Sequence, residues 1–373
     1  MKAPAIALLA AAGGASSLVF VPNLAVAVGA TEGQVGVIFA VHSLLAFLAS
    51  FAFGRIADVR GRRRVLQFGL GLSVAAAVTQ VFAFDPWTIG LSRAFLGLAV
   101  GVYPGALVAF AYEAEHKMGR FAMYGSLGWA AGNFLAGVLA FAYPGQFALV
   151  FAGSSALFCA AWLVAMSLKV LPERLVDVPR FPLAVIRRNL PIYVTMLVRH
   201  TGANMVWVIF PLFLERVRGF TLFDVGLLLA VNPLIQAAVM FQLDPYPGKR
   251  LVPIGIVLSA VTFLLFTLAT DFFSMLLTQV VLGTAWATLW VGSLKMVTER
   301  NEERATATGL LASTTTLASI LGPLAGGFIA LTYGYFAAMY AAAAMSALAL
   351  VTYLWASGAE WGAIPRGRGS TFK

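Results

Sequence analysis

Charged residues are scarce in this sequence, and their scarcity excludes an ordinary soluble protein. Asp, Glu, Lys and Arg make up 11% of the 373 residues, whereas hydrophobic residues make up 61%. Soluble domains carry about 25% charged residues, because their surface has to meet water. The mean hydropathy of +0.89 points the same way. We therefore expect lipid, not water, to contact most of the surface.

Cysteine and the usual catalytic clusters are also nearly absent. Cys159 is the one cysteine of the sequence, which excludes an internal disulfide and a thiolate metal site. The sequence contains no glycine-rich phosphate loop, no His/Cys set with metal-ligand spacing and no paired acids inside an apolar run. We expect no enzyme, no cofactor and no metal, and no ATP-driven pump unless a partner chain supplies the ATPase.

What the sequence has is long apolar runs, separated by short charged or Gly/Pro-containing turns. About twenty residues are needed to cross a bilayer as a helix. Runs of this length must satisfy their own backbone hydrogen bonds, which makes them helices, and the ten-residue alternating segments of a β-barrel are not seen. The first run is too long for the apolar core of a signal peptide. We predict an all-α integral membrane protein with twelve transmembrane helices, at about 4–28, 34–57, 64–84, 87–112, 121–142, 146–168, 191–214, 221–242, 250–269, 272–297, 306–331 and 334–356.

The basic residues are distributed unevenly between the turns. If the N-terminus is cytoplasmic, the opposite side holds only Arg216 and Arg218. This asymmetry follows the positive-inside rule, so the net charge of +10 reports topology and requires no nucleic acid. We predict a multi-pass protein of the cytoplasmic membrane with both termini cytoplasmic. The cytoplasmic side collects Lys2, Arg60, Arg62, Arg63, Arg64, Lys117, Arg120, Lys169, Arg174, Arg180, Arg187, Arg188, Lys249, Arg250, Arg300, Arg304, Arg366, Arg368 and Lys373.

The longest hydrophilic connection, at 169–190, divides the chain into two sets of six runs. This predicts an N-terminal six-helix bundle at 1–168 and a C-terminal six-helix bundle with a short tail at 191–373. Weak matches between the two sets occur in the same order: Gly97 with Gly283, Glu113 with Glu299, Arg93 with Gln279, GNFLAG (132–137) with GPLAGG (322–327), and VGVIFAVHSLL (35–45) with VGLLLAVNPLI (225–235). Parallel repeats joined by a central loop are one architecture of secondary transporters.

The turn between the second and third runs reads GRIADVRGRRR (54–64). Its Gly54, Asp58, Gly61, Arg62 and Arg63 resemble the signature of the major facilitator superfamily, although Val59 stands where that family often has Arg or Lys. The resemblance extends to the run count and the central loop, and implies a twelve-helix transporter near the drug and organic-solute exporter branches. It also implies a cytoplasmic latch that favours the outward-open state.

The chemistry of Asp58 agrees with such a latch. A carboxylate at a helix C-terminus is unfavourable, so it needs arginines or a neighbouring helix N-terminus as compensation. A contact of this kind can exist in one conformation and break in the other. The alternative is an ordinary basic turn with one acid.

Several polar and aromatic residues fall inside the apolar runs, where charge is costly and usually faces a polar cavity. Arg93 lies seven residues into the fourth run, and the alternative for it is snorkelling to the surface. His42 is more often a packing donor than a proton carrier. The fourth helix should kink or loosen at Tyr103-Pro104-Gly105. The cavity candidates are Asn23, His42, Arg93, Tyr103, Asn133, Arg199, His200, Asn204, Trp207, Asn232, Trp286 and Trp290.

Runs 3, 6, 9 and 12 carry no charged residue and no Asn or His in their interiors, and the Thr314–Thr316 cluster adds run 11 to the polar set. The resemblance implies that the plain helices are peripheral and the other eight line the cavity. Small residues should permit close helix packing at Gly97, Gly101, Gly132, Gly322, Pro323, Gly326 and Gly327. The Gly-Pro-x-x-Gly-Gly motif of proton-coupled exporters normally lies in helix 5, but here it occupies helix 11, which weakens an exporter assignment.

The charged and polar side chains inside the apolar runs suggest the class of substrate. No carboxylate lies at the middle of a run, so proton coupling would use His42 or Glu113. Deep cations without a counter-charge favour a small organic anion or acidic amphiphile. The alternatives are a multidrug exporter of hydrophobic compounds, a carrier of a neutral solute such as a sugar, and a non-transporting receptor with the same fold. The expected partners are the bilayer, the small-molecule substrate and a proton as coupling ion, and we expect a monomer.

Overall fold

The computed structural model describes residues 2–19, 21, 24–25, 28–30, 32–143, 145–168, 178–179, 181–207, 209–220 and 222–362. Throughout this part of the chain the regular secondary structure is helical. The helices are α1 (Lys2–Val19), α2 (Glu32–Arg60), α3 (Arg62–Val81), α4 (Pro86–Val102), α5 (Pro104–Glu115), α6 (Met118–Ala142), α7 (Phe147–Met166), α8 (Leu183–Trp207), α9 (Phe210–Arg216), α10 (Leu222–Phe241), α11 (Gly248–Leu268), α12 (Phe272–Arg300), α13 (Arg304–Tyr333) and α14 (Tyr335–Gly362).

Each predicted run corresponds to one helix or to two consecutive helices. The predicted break in the fourth run is confirmed, since α4 ends at Val102 and α5 begins at Pro104. Proline at that position lacks the N–H that would continue the helix and clashes with the preceding turn. The seventh run divides in the same way, with Pro211 in the first turn of α9.

Helix α8 begins at Leu183, eight residues before the predicted seventh apolar run begins at 191. Its first two turns carry Arg188 and Asn189, which are hydrophilic but find partners beyond the end of α12. Asn189 and Asn301 exchange two amide hydrogen bonds of 3.0 Å. The Arg188 Nη1 atom donates to Glu303 Oε2 at 3.1 Å. These contacts explain why a polar segment is helical outside an apolar run.

Eight helices of the described residues are long and apolar enough to cross a membrane. They are the helices at 37–60, 62–81, 86–114, 147–166, 248–268, 272–300, 304–333 and 335–355. Shorter apolar helices occupy Lys2–Leu18 and Leu227–Phe241. Helix α8 is outside this set because Arg199, His200 and Asn204 lower its hydropathy. The fold is therefore all-helical and membrane-spanning, with eight crossings supported by length and composition.

Helix packing repeats between the two halves of the chain. In the first half α1 packs on α6, α2 on α4, and α3 on α7, and in the second half α8 packs on α13, α10 on α12, and α11 on α14. Glycines make the closest of these contacts. A Cβ atom at Gly132 would lie 2.2 Å from the Ala12 carbonyl oxygen, and one at Gly326 would lie 2.2 Å from that of Met205. Glycines of α6 and of α13 thus permit the close approach of α1 to α6 in the first half and of α8 to α13 in the second.

The other predicted packing glycines divide into two groups. Cβ atoms at Gly97 and Gly101 would lie 2.2 Å and 2.5 Å from carbonyl oxygens of α2, and one at Gly322 would lie 2.7 Å from the Thr201 carbonyl oxygen. Gly327 differs from the expectation, since a Cβ there would meet no atom within 4 Å. No close helix contact therefore depends on Gly327.

The two halves meet where α2 ends and α13 begins, which we call the Asp58 end of the bundle. Here α2 packs on α13, and α6 packs on α10. A Cβ at Gly54 would lie 2.7 Å from the Ala305 carbonyl oxygen, and one at Gly309 would lie 2.6 Å from that of Ser50. Backbone-to-backbone contact of this kind seals the halves together at this end.

Candidate substrate cavity and gate

A cavity of about 640 Å³ lies between the two halves. Residues of α1, α2, α4, α5 and α6 form its wall on one side, and residues of α8, α10 and α12 form the other. Among the described residues, none that lines the cavity belongs to α3, α7, α11 or α14, as expected for the four plain helices.

The lining that the structure describes also contains no residue of α13, which differs from the expectation for the Thr314–Thr316 cluster. The hydroxyls of Thr314, Thr315 and Thr316 donate to the carbonyls of Leu310 and Ala312 in their own helix. They are thereby satisfied without facing a ligand.

The structure gathers most of the predicted cavity residues in this wall. The lining includes His42, Arg93, Tyr103, Arg199, His200, Trp207, Asn232, Trp286 and Trp290. Asn133 and Asn204 are half-buried and are not among the lining residues. The Asn204 Nδ2 atom instead donates to the His200 carbonyl oxygen at 2.8 Å. Asn23 lies outside the described residues, and a substrate-binding role for the whole set stays a prediction.

Arg93 is held inside the protein by polar side chains of two neighbouring helices. It is 2% exposed. Its Nη1 atom donates to Ser17 Oγ at 2.8 Å and to Gln80 Oε1 at 3.2 Å. The His42 Nδ1 atom lies 2.9 Å from the Arg93 carbonyl oxygen, and because that oxygen can only accept, Nδ1 carries the proton. This geometry places the guanidinium at the cavity wall and disagrees with snorkelling to the surface.

Arg199 belongs to a cationic and aromatic wall on the opposite half. Its Nε atom donates to Ser259 Oγ at 2.9 Å, and its guanidinium lies 5.5 Å from the Trp286 ring centroid. The His200 ring stacks on Trp286 at 5.1 Å, and Trp286 stacks on Trp290 at 5.4 Å. The adjacent Arg199 and His200 therefore both line the cavity, because Trp286 contacts the two side chains together.

Sequence reasoning missed the neutral residues that position these groups. Ser17, Gln80 and Ser259 orient the arginines, but Ser and Gln inside apolar runs give no distinctive signal. Gln236 had a usable signal, since it follows Asn232 by one helical turn. Its Nε2 atom donates to Asn232 Oδ1, and Ser126 Oγ of the other half lies 3.3 Å from its Oε1.

The cavity is closed toward the Asp58 end. The lining residues Leu107, Phe121 and Met240 are buried there. Trp129, two turns farther along α6 than Phe121, is 44% exposed. The exposed part of this wall therefore lies away from the Asp58 end.

Asp58 forms the centre of the contact between the halves at the closed end. It is 1% exposed, and its Oδ2 atom accepts from the backbone N and the Oγ1 of Thr306, both at 2.7 Å. Its Oδ1 atom accepts from Arg62 Nη2 at 2.7 Å and from the Ala305 backbone N at 3.3 Å. The N-terminus of α13 and Arg62 thus together compensate a carboxylate at the C-terminus of α2.

Arg62 and Glu113 extend this contact into an ion-pair network. Arg62 Nη1 pairs with Glu113 Oε1, and Arg304 Nη1 of the other half lies 3.4 Å from the same oxygen. Gly61 permits the sharp turn that brings Arg62 back to Asp58, since its φ of 103° is one that other residues rarely adopt. Arg63 is half-buried beside it. The contact between the halves therefore explains the identity of four of the five signature residues: Gly54, Asp58, Gly61 and Arg62.

A second aspartate makes the equivalent contact on the other side of the pseudo-symmetry. Asp244 follows α10, and its carboxylate accepts from the backbone N atoms of Gly119 at 2.8 Å and Arg120 at 3.3 Å. These N–H groups occupy the first turn of α6, as those of Ala305 and Thr306 occupy the first turn of α13. Lys295 Nζ holds the turn in place by donating to the carbonyls of Asp244 and Tyr246 at 2.7 Å and 2.6 Å.

Comparison with known proteins identifies the family. The family model of the Major Facilitator Superfamily matches residues 5–246 and 192–366. The chain belongs to the major facilitator superfamily. The crystal structure of the human organic anion transporter MFSD10 (TETRAN) superposes with a TM-score of 0.80 over 94% of this chain and 98% of that one, at 17% identity. This likeness shows a shared fold, and the predicted resemblance is confirmed.

A second relative matches only in part. Myo-inositol transporter 1 of Saccharomyces cerevisiae is 35% identical over 107 residues, which cover 28% of this chain. The match spans 18% of the yeast protein's own length. Membership in the superfamily identifies this chain as a membrane transporter and not an enzyme.

The wall of this major facilitator transporter's cavity is positively charged. Its described lining includes Arg93 and Arg199 and contains no Asp or Glu. Within the described part of the chain, the hydrogen bonds of Arg199 involve only Nε, which leaves its Nη1 and Nη2 atoms without an acceptor. His200 Nδ1 and Asn232 Nδ2 are likewise buried without partners. The arrangement offers donors and positive charge to a solute.

Proposed function

We propose that this transporter moves a small organic anion or acidic amphiphile across the cytoplasmic membrane by alternating access. The observation that supports this is the buried pair of arginines in a cavity whose described lining lacks a carboxylate. A desolvated guanidinium without a counter-charge is unfavourable. An anionic solute would supply the missing acceptors on both halves at once.

The neighbouring rings suggest the remainder of the substrate. Trp286 and Trp290 form a stacked surface beside Arg199, suited to an apolar or aromatic body attached to the acidic group. The human structural relative is an organic anion transporter by name, and the yeast relative carries myo-inositol by name. The first shares 17% identity with this chain and the second matches over 18% of its own length. Between these two substrate classes, the charge of the cavity favours the anion.

The transport cycle follows from the same geometry. We infer twelve transmembrane helices in two bundles, 1–168 and 191–373, joined by a cytoplasmic connection at 169–190. Both termini and the Asp58 end would face the cytoplasm, because the basic residues collect there. With the Asp58 contact intact, the cavity then faces outward. Opening to the cytoplasm would require that the two halves separate at Asp58 and Asp244.

Proton coupling would act through Glu113 or His42. Protonation of Glu113 would remove the charge that pairs with Arg62 and Arg304, and would thereby weaken the closed gate. Protonation of His42 would place a second positive charge beside Arg93. The first change would link proton movement to the gate, and the second would link it to the cavity. We propose that a monomer is the functional unit.

Flux through liposomes tests the proposal. Purified protein is reconstituted, and uptake of labelled aromatic and aliphatic carboxylates, ethidium and myo-inositol is measured with and without a pH gradient. We expect carboxylate uptake, and we expect Arg199→Ala to reduce its kcat/KM by roughly ten- to hundredfold, the cost of lost hydrogen bonds to a charged group. Arg187→Ala, an exposed change on the same helix, should leave uptake unchanged. Full anion uptake by Arg199→Ala would contradict the cationic site.

A second candidate is a proton-coupled exporter of hydrophobic compounds. The observation in its favour is that Trp129, Trp207, Trp286 and Trp290 all line the cavity. In the same assay, pH-driven ethidium flux that carboxylates do not inhibit would favour this candidate over the anion carrier. Saturable uptake of myo-inositol alone would favour a neutral solute.

A further inference from the structure

A second cavity, separate from the substrate cavity, lies between α2 and α3 near the Asp58 end. It is a groove of about 670 Å³, within the range of roughly 300–1,000 Å³ that ligand sites occupy. It shares no lining residue with the central cavity. The lining consists of Phe53, Ile56, Val59 and Arg60 from α2, and Arg64, Val65 and Phe68 from α3.

The two arginines of this groove are available to a ligand. Arg60 and Arg64 are both exposed. Unlike Arg62, which pairs with Asp58 and Glu113, neither makes a hydrogen bond or ion pair with the described part of the chain. Two guanidinium groups therefore lie at the mouth of the groove without acceptors.

Below this mouth the groove is apolar. Phe53 precedes Arg60 by seven residues, or roughly 10 Å along the helix, and Phe68 follows Arg64 by four residues, or roughly 6 Å. The two rings stack with their centroids 6.2 Å apart, and Phe68 is 55% exposed. The groove thus combines a basic mouth with an apolar, ring-lined floor on the outer surface of a membrane-spanning bundle.

We propose that this groove binds an anionic phospholipid, with its phosphate between Arg60 and Arg64 and an acyl chain along Phe53 and Phe68. Basic pockets between transmembrane helices bind anionic head groups in this way, because each guanidinium near the surface attracts the lipid charge. A zwitterionic lipid would bring a compensating ammonium group to the same two arginines and bind more weakly. The site is independent of the transported solute.

The position of the groove links it to the gate. Asp58 and Arg62 lie on the same two helix ends as Val59, Arg60 and Arg64. A lipid that holds α2 and α3 together also holds the turn at Gly61, and with it the carboxylate that contacts α13. The lipid composition of the membrane would then influence how firmly the halves are closed.

Native mass spectrometry of the full-length protein in detergent tests the proposal. Phosphatidylglycerol and phosphatidylcholine with identical acyl chains are added at equal concentration, and bound lipid is counted. We expect wild-type protein to prefer phosphatidylglycerol. Arg60→Gln/Arg64→Gln should weaken phosphatidylglycerol binding roughly thirtyfold, the effect of two surface charges, while Arg60→Lys/Arg64→Lys retains most of the binding.

The control is Arg187→Gln/Arg250→Gln, which removes two other exposed charges from the same end of the bundle. This pair should bind phosphatidylglycerol as the wild type does. The proposal is overturned if wild-type protein binds both lipids equally, if the control pair loses as much affinity, or if Arg60→Gln/Arg64→Gln stays within about threefold of wild type. The comparison of the two lipids on wild-type protein needs no variant, so a misfolded variant cannot obscure the result.

Discussion

Replacement of Asp58 by Asn is expected to open the cavity at the Asp58 end. The asparagine side chain would keep one oxygen for Thr306 but lose the negative charge that attracts Arg62 and the N-terminus of α13. Between the halves, Asp58 accepts from the backbone N and hydroxyl of Thr306 and from the backbone N of Ala305. A hydrogen bond to a charged group contributes about 1.5–3 kcal/mol, and the helix terminus contributes up to about 2 kcal/mol more. The hydrogen bonds to Ala305 and Thr306 exist only when the halves are closed, whereas Arg62 belongs to the same half as Asp58, so the loss of these bonds acts on the closed state. A loss of about 3 kcal/mol changes the ratio of closed to open forms by more than a hundredfold.

Thiol labelling measures this change. Cys159 is first replaced by Ala, and a cysteine is introduced in place of Ala122, which is buried in the cavity lining near the Asp58 end. A membrane-impermeant maleimide is then applied to liposomes from each side. We expect Asp58→Asn to increase the labelling rate from the Asp58 side by at least tenfold, because the cysteine becomes accessible only when the halves separate.

The matched control is Asp85→Asn, at the N-cap of α4 at the other end of the bundle. Asp85 accepts from the backbone N–H groups of Trp87 and Thr88, and Asn caps a helix nearly as well as Asp. Labelling of the cavity cysteine should therefore stay at the wild-type rate. Equal labelling of Asp58→Asn and the parent protein would refute the assignment of Asp58 to the gate.

Two further predictions concern the repeat. Asp244→Asn should raise the labelling rate in the same assay, but less than Asp58→Asn does. Asp244 is only half-buried and has no arginine bound to it in the described residues, so the closed form should lose about 1–2 kcal/mol of stability. A larger effect than that of Asp58→Asn would contradict this ranking. Gly132→Val should lower the free energy of unfolding by about 3 kcal/mol or more, because its Cβ would lie 2.2 Å from the Ala12 carbonyl oxygen. The control is Gly327→Ala, whose Cβ would have no atom within 4 Å and which should leave the thermal midpoint in detergent unchanged. Equal midpoints for the two variants would count against the packing argument.

The helices could be predicted from the sequence, because the thickness of the bilayer sets the length of each apolar segment. The break at Pro104 and the compensation of Asp58 were also predictable, since each depends on the chemistry of one residue and its immediate helix. The start of α8 was not, because the segment before residue 191 is hydrophilic and is helical through partners on Asn301 and Glu303.

The cavity was harder to predict than the helices. Successive residues on a helix point about 100° apart, so the rotation of each helix decides which polar residue meets the cavity. That rotation depends on distant contacts, such as Gly322 against Thr201, and these place the Thr314–Thr316 hydroxyls on their own helix. The role of Asp244 was hidden for a similar reason: its partner is the start of α6, more than a hundred residues away.

The two capping aspartates, Asp58 and Asp244, make two equivalent contacts between the halves. Each half provides one carboxylate and one helix start, and the two contacts exchange places under the pseudo-two-fold axis. If one rigid half rocks on the other, as proposed for the transport cycle, both carboxylates would leave their helix starts in the same motion. Their free energies would then add within a single step. We therefore expect the closed form to be lost as a whole, which would limit uncoupled leakage of solute.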